Sequence, residues 1–250
     1  MWDRLLRVPA LRDQVEKIAK RRLLGDIRVP AQGRIFLPKV YVNNDVGRLI
    51  QSGIFFGEAE RNEATLSYLA GKGIHVTRPL CLLRESDRFG ITRSVLFLEA
   101  LPTAAVDYKF YLPETLPFKS QSFRTEFFTQ AGQAVAQVHL TGVYTEDTDQ
   151  NLMVEKQGAT WIFHFMDFDN SYPWRIPTLK RTIHAVAHML DTGKGGHYTC
   201  NSLETEAFVD TYLAVRDRPK WREPIMNHLK KHRSHIFSNP TCPVEVSKEN

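Results

Sequence analysis

The chain changes character at three prolines. Before Pro102, Pro113 and Pro117 it consists mostly of short apolar runs broken by turns; beyond them, helical spacing dominates. Asp26-Ile27-Arg28-Val29 and Arg34-Ile35-Phe36-Leu37 are β-like runs separated by the turn signal Pro30-Ala31-Gln32-Gly33. Pro38-Lys39-Val40-Tyr41-Val42 extends the second run. Gly57 to Leu69 reads as a helix, with Ala59, Glu63, Leu66 and Leu69 near helical spacing and Gly71 and Gly73 ending it. Ile74 to Pro79 and Cys81 to Leu83 follow as strand segments. Ser86 to Gly90 is a turn, and Ser94 to Ala100 a strongly apolar strand. A strand-rich first half with one helix, followed by a helical second half, predicts an α+β architecture of two lobes.

In the second half, Ser122 is placed to cap a helix that buries Phe123, Phe127, Ala131, Ala134 and Val138. The polar loop Tyr144 to Asn151 leads to the strand Leu152-Met153-Val154. The turn Gln157-Gly158 leads to the strand Trp161 to Met166, which ends in Asp167-Phe168-Asp169-Asn170. Helical patterns return from Ile176, at 203–215 and at 221–236. The expected organisation is a basic helix over 1–25, a strand-rich lobe over 26–101 and a helical lobe over 102–250. The basic helix reads either as a membrane-surface helix or, more commonly for such a pattern, as a helix packed on the main body.

Composition excludes several classes. With 250 residues, 42% hydrophobic and 24% charged, the chain is neither disordered, collagen-like nor a coiled coil. No apolar run approaches the ~20 residues of a membrane-spanning helix, and Met1-Trp2-Asp3-Arg4 opens on charged sequence unlike an export signal. Cys81, Cys200 and Cys242 form neither a disulfide framework nor a zinc pattern, which fits a reducing, cytoplasmic compartment. The net charge of +5 suits an anionic ligand or an anionic membrane surface. With no aromatic-studded basic stripe it does not point to nucleic acid.

The chemistry gathers in two places. Glu146-Asp147-Thr148-Asp149-Gln150-Asn151 packs three carboxylates and two side-chain amides into one loop. The hairpin after it delivers Asp167 and Asp169 at the end of an apolar strand. Converging acids repel unless a cation joins them, and a few hard oxygens with room for water and phosphate suit Mg²⁺. Any one of these acids alone reads as a solvated loop residue. A polar loop, strand, turn and strand ending in Asp-Phe-Asp is harder to set aside. His184 and His188 have i, i+4 spacing but lack the glutamate of a His-Glu-x-x-His motif. The absence of Gly-x-Ser-x-Gly argues against an α/β-hydrolase.

This order of parts resembles the protein-kinase-like superfamily over roughly residues 26–215. The likeness is closest to the bacterial kinases that phosphorylate Kdo or heptose in the lipopolysaccharide core. Met166-Asp167-Phe168-Asp169 resembles their metal-binding segment, which implies Asp167 as a metal ligand, and Asn151 before Leu152-Met153-Val154 resembles the asparagine of the second metal. Lys39 in Leu37-Pro38-Lys39-Val40-Tyr41 is similar to the strand lysine that holds nucleotide phosphates, and Glu63 to the helix glutamate that pairs with it. Leu98-Glu99-Ala100-Leu101 resembles the segment where adenine docks, implying Glu99 and Leu101 in nucleotide binding. Taken singly, Lys39 also reads as an exposed edge-strand lysine, Glu63 as a solvated helix residue and Asn151 as a turn former.

The resemblance implies an ATP- and Mg²⁺-dependent phosphotransferase. Its implied partners are ATP and a sugar hydroxyl of a lipopolysaccharide core intermediate, or another small hydroxyl acceptor. Its implied place is the cytoplasm, peripheral to the anionic inner membrane, with no nucleic-acid partner. Two departures stand out. Five residues before Asn151, the family's catalytic aspartate position holds Glu146 and its histidine position holds Tyr144, with Asp147 adjacent. The Gly-rich phosphate loop is reduced to Gly25 and Gly33. Glu146 or Asp147 is therefore the implied proton acceptor. The alternative is a pseudokinase, a nucleotide-binding scaffold with a degenerate catalytic loop.

Overall fold

Among the described residues, the strands form two antiparallel sheets. The computed structural model describes residues 29–31, 34–42, 57–87, 90–144, 148–168, 171, 177–190 and 198–232. The chain divides into two compact units. The first takes the described residues up to Gly71, then Val76–Leu101 and Asp167–Phe168; the second takes Lys72–His75, Pro102–Met166 and the described residues from Ser171 onward. The basic stretch 1–25 lies outside the described residues.

In the first unit, strands β1 (Val29–Ala31), β2 (Arg34–Val42), β3 (Pro79–Asp87) and β4 (Gly90–Glu99) form an antiparallel sheet in the order β1-β2-β4-β3. Lys39 on β2 lies opposite the fully buried Leu96 on β4. Helix α1 (Glu58–Gly71) packs on β3 and β4. Its buried face carries Ala59, Asn62, Leu66 and Leu69, a run at i, i+3, i+7 and i+10. The stripe is therefore turned from the expected one: Asn62 lies on it, and Glu63 is only half-buried. Glu60 is buried on the same helix, its Oε1 2.8 Å from Arg84 Nε.

In the second unit, β5 (Val106–Asp107), β6 (Leu152–Gln157) and β7 (Thr160–Phe165) form a sheet in that order. Helix α2 (Tyr108–Thr115) contains Pro113, in a region the prolines suggested was loop. Asp107 caps it by accepting from the Lys109 N–H at 2.8 Å, and Pro113 falls in a last turn that ends two residues later. Helix α3 (Gln121–Leu140) is capped by Ser120 rather than Ser122: Ser120 Oγ accepts from the Phe123 N–H at 3.3 Å. Helices α4 (Leu179–Leu190), α5 (Ser202–Val215) and α6 (Arg222–His232) complete the unit.

Two features hold α3 in this unit. Phe127 lies at the centre of an aromatic cluster with Tyr108, Tyr111, Phe128, Trp161 and Phe163. Gly132 lets α5 approach so closely that a Cβ there would sit 2.5 Å from the Phe208 carbonyl oxygen. Helix α5 is fixed at its start by a capping box, Asn201 accepting from the Glu204 N–H at 3.0 Å and Glu204 from the Asn201 N–H at 2.9 Å.

Behind α3 lies a buried polar chain. Arg216 Nη1 donates to the Tyr212 hydroxyl at 2.6 Å, and that hydroxyl meets His139 Nδ1 at 2.6 Å. Burial, with the nearby Arg216 charge, pushes the His139 pKa down to about 3. Along β7, the Trp161 N–H donates to Gln130 Oε1 at 3.0 Å and the Phe165 N–H to the His75 carbonyl at 2.9 Å. Among the described residues, no helix is long and apolar enough to cross a membrane.

Candidate functional site

Asp167 and Lys39 form an ion pair in the first unit. The side chains are 30% and 13% exposed, so the pair is sheltered yet reachable from solvent. Lys39 is therefore not the exposed edge lysine that its position alone allowed. Its ammonium also lies 5.1 Å from the Tyr41 ring centroid. Asp167 has φ +57°. An L-residue in that left-handed region costs about 1–2 kcal/mol, least for Asn and Asp. The next residue offsets the cost: Phe168 is fully buried, and its N–H donates to Asn62 Oδ1 at 2.8 Å. Asn62, itself fully buried, donates through Nδ2 to the Tyr41 hydroxyl at 2.7 Å. Strand β2, helix α1 and the Asp167-Phe168 turn are thus tied by one amide.

The remaining expected residues are spread over both units. Glu63, also in the first unit, lies near Cys81, whose thiol is pushed up by burial and secondly by the Glu63 charge. Among the described residues no ion pair joins Glu63 to Lys39, whereas one joins Asp167 to it. The reason is helical phase, which turns position 62 rather than 63 onto the packed face. Glu99 ends β4, donating its N–H to the Arg78 carbonyl at 2.8 Å, and the half-buried Leu101 is the last residue of the first unit's β3–β4 segment. Asn151, in the second unit, is half-buried between a 3₁₀ turn (Thr148–Gln150) and β6, and its carbonyl accepts from the Met166 N–H at 2.8 Å. Glu146 and Asp147 lie outside the described residues.

A further acid in the same loop has no assigned role in the motif resemblance. Asp149, buried in that 3₁₀ turn, has Oδ2 3.5 Å from Lys109 Nζ and Oδ1 3.7 Å from His188 Nδ1. Burial pushes its carboxyl up, against the pull of Lys109 and then His188. Tyr144, at the family's histidine position, is buried under the Arg181 guanidinium, 5.5 Å from its ring. The His184 and His188 rings lie 4.4 Å apart, but among the described residues no group of three or more His, Cys, Asp or Glu side chains is arranged to hold a metal.

Comparison with solved structures decides the architecture. WaaP in complex with acyl carrier protein matches with a TM-score of 0.63 and 13% identity, covering 90% of this chain and 92% of that one. The fold is protein-kinase-like. At this identity the kinase-like relation to the lipopolysaccharide core kinases is one of fold. No family model matches the chain, and no curated protein matches its sequence significantly.

Proposed function

We propose that this kinase-like chain is an ATP- and Mg²⁺-dependent phosphotransferase whose acceptor is a sugar hydroxyl of a lipopolysaccharide core intermediate. The observation that carries the reading is the Lys39–Asp167 pair, an ammonium and a turn carboxylate held together in a sheltered spot. Phosphoryl transfer asks a protein mainly for charge placement and alignment, and such a pair has both signs in place. In this reading Lys39 binds nucleotide phosphates, while Asp167 and Asn151 contribute metal oxygens. Glu99 and Leu101 line the adenine position. Glu146 or Asp147 takes the proton from the acceptor hydroxyl. Glu63 is the helix acid that this reading sets beside Lys39 in nucleotide binding.

The donor chemistry fits the metal: Asp167 and Asn151 offer hard oxygens, few in number. Mg²⁺ prefers one or two carboxylates completed by phosphate and water over a cage built wholly of protein. Bound Mg²⁺ would neutralise charge on the β- and γ-phosphates. The site of action in this reading is the cytoplasmic face of the inner membrane, in keeping with the +5 net charge. The test is Mg²⁺-dependent ATP turnover with a purified heptose- and Kdo-containing core saccharide. Transfer that disappears in Asp167→Ala supports the reading. Absence of transfer in the native chain, or undiminished transfer in Asp167→Ala, overturns it.

Tyr144 and Glu146, where the family has histidine and aspartate, favour a second reading: a scaffold that binds nucleotide without transferring phosphate. Nucleotide binding with no transfer to any sugar acceptor selects it. WaaP was solved with acyl carrier protein, so that protein is the partner to try first in a pull-down under the scaffold reading.

A further inference from the structure

We propose that Asn62 is the positioning residue of the metal carboxylate: its side-chain amide, bonded to the Phe168 N–H and the Tyr41 hydroxyl, fixes the turn that aims Asp167. The inference rests on the reading of Asp167 as a metal ligand and adds to it a residue outside the motif resemblance.

The backbone is the starting point. Asp167 sits at φ +57°, a conformation an L-residue leaves unless its neighbours over-determine it. Two anchors do so within the first unit. The Phe168 ring is fully buried, and the Phe168 N–H, one atom from the Asp167 carbonyl carbon, is bonded to Asn62 Oδ1 at 2.8 Å. That bond determines where the Asp167–Phe168 peptide plane lies. The plane in turn determines where the Asp167 Cβ points.

Asn62 can serve as an anchor because it is itself anchored. It is fully buried on α1, and its Nδ2 donates to Tyr41 Oη at 2.7 Å. Tyr41 lies on β2 two residues from Lys39, on the same side of the strand, and the Lys39 ammonium rests 5.1 Å from the Tyr41 ring. One planar amide therefore sets the turn that carries the acid against the strand that carries the cation. The task needs an acceptor and a donor on one short, neutral group. Leucine has neither, and a carboxylate has no donor. The neutral charge also matters, since a carboxylate here would add a second acid beside Tyr41, close to the ammonium that Asp167 engages.

The experiment uses the full chain, with ADP and Mg²⁺ as probes. Nucleotide affinity is measured by calorimetry in EDTA, and Mg²⁺ affinity at saturating ADP, for the native chain, Asn62→Leu and Tyr41→Phe. Loss of an outer residue that orients a metal ligand weakens metal binding by about 10–100-fold. Asn62→Leu is expected to lose Mg²⁺ affinity in that range while its ADP affinity in EDTA stays within about twofold of native. Tyr41→Phe, which removes only the outer anchor, is expected to fall between the two. A merely structural role would move both affinities together or neither.

Mg²⁺ affinity kept within about twofold in Asn62→Leu overturns the inference and leaves Asp167 as a ligand. Absence of Mg²⁺-dependent ADP binding in the native chain overturns the reading of the site, and the inference with it. If Asn62→Leu does not fold, Tyr41→Phe decides: Mg²⁺ affinity equal to native overturns the inference, and a selective loss supports it.

Discussion

Among the described residues, the sheltered cations Arg216 and Lys39 are treated differently. Arg216, in the second unit, is 5% exposed and has no carboxylate partner among the described residues. Its donors go to the Thr182 and Tyr212 hydroxyls and the Pro177 carbonyl, and its Nε is buried without a hydrogen-bond partner. The Tyr212 and Trp221 rings flank it at 5.5 and 5.4 Å. Lys39, in the first unit, faces an acid held on a strained backbone and stays within reach of solvent. Neutral oxygens and aromatic faces fix Arg216 in one arrangement. A mobile ammonium beside a carboxylate can exchange its partner for phosphate, and the carboxylate its partner for metal. The first pattern stores stability; the second uses backbone strain to keep two charges available.

The comparison predicts a separation of activity from stability. Asp167→Gly removes the carboxylate while giving the turn a residue that adopts φ +57° freely. Mg²⁺-dependent turnover is expected to fall by about 10²–10³-fold. Unfolding free energy in urea is expected to stay within about 1 kcal/mol of native, because relief of the left-handed backbone offsets the lost pair. Arg216→Ala should do the reverse. It takes a buried donor from the Thr182 and Tyr212 hydroxyls and the Pro177 carbonyl and costs about 2–4 kcal/mol in urea unfolding, with Mg²⁺-dependent ADP binding unchanged. If Arg216→Ala abolished that binding, the contrast between the two cations would fail.

A smaller effect is expected at Gly132. Alanine there places Cβ against the Phe208 backbone, which cannot yield as a side chain can. A loss of about 1–3 kcal/mol, read as a lower denaturation midpoint at unchanged m-value, is the expected outcome. The effect spread over the widest range of conditions concerns pH. His139 titrates at 6.5 unfolded and near 3 folded, so between those values the unfolded chain binds the extra proton. Stability from this group is complete above pH 6.5 and declines by at most about 1.4 kcal/mol per unit as pH falls toward 3. His139→Gln should show a correspondingly shallower decline in denaturant unfolding at successive pH values.

Much of the fold is legible in the chain, and the remainder is hidden for physical reasons. Helix α1, β7 and α5 lie within two residues of where periodicity and turn signals put them, because each pairs a clear apolar period with Gly or polar ends, while β6 runs three residues past the expected Val154. Ser120 and Ser122 are equally good caps by residue type, and only the backbone decides between them. Lys39 and Asp167 are visible through motif resemblance. Asn62 is not, because an asparagine in a helix reads as solvated. The available signal is its place in the stripe Ala59, Asn62, Leu66, Leu69, where a polar side chain interrupts an apolar face. Arg216 leaves no comparable trace, since its burial depends on the packing of α5 and the segment around Pro177.

The treatment of β7 has a consequence for how copies of this chain meet one another. A sheet margin with unspent amides invites a neighbouring chain to add a strand, the first step toward aggregates. Here a glutamine from α3 takes up the amide at one end of that margin, and a carbonyl at His75 takes up the amide at the other. An incoming strand finds the amides at both ends already engaged, one of them by Gln130 on a helix that carries none of the candidate site residues.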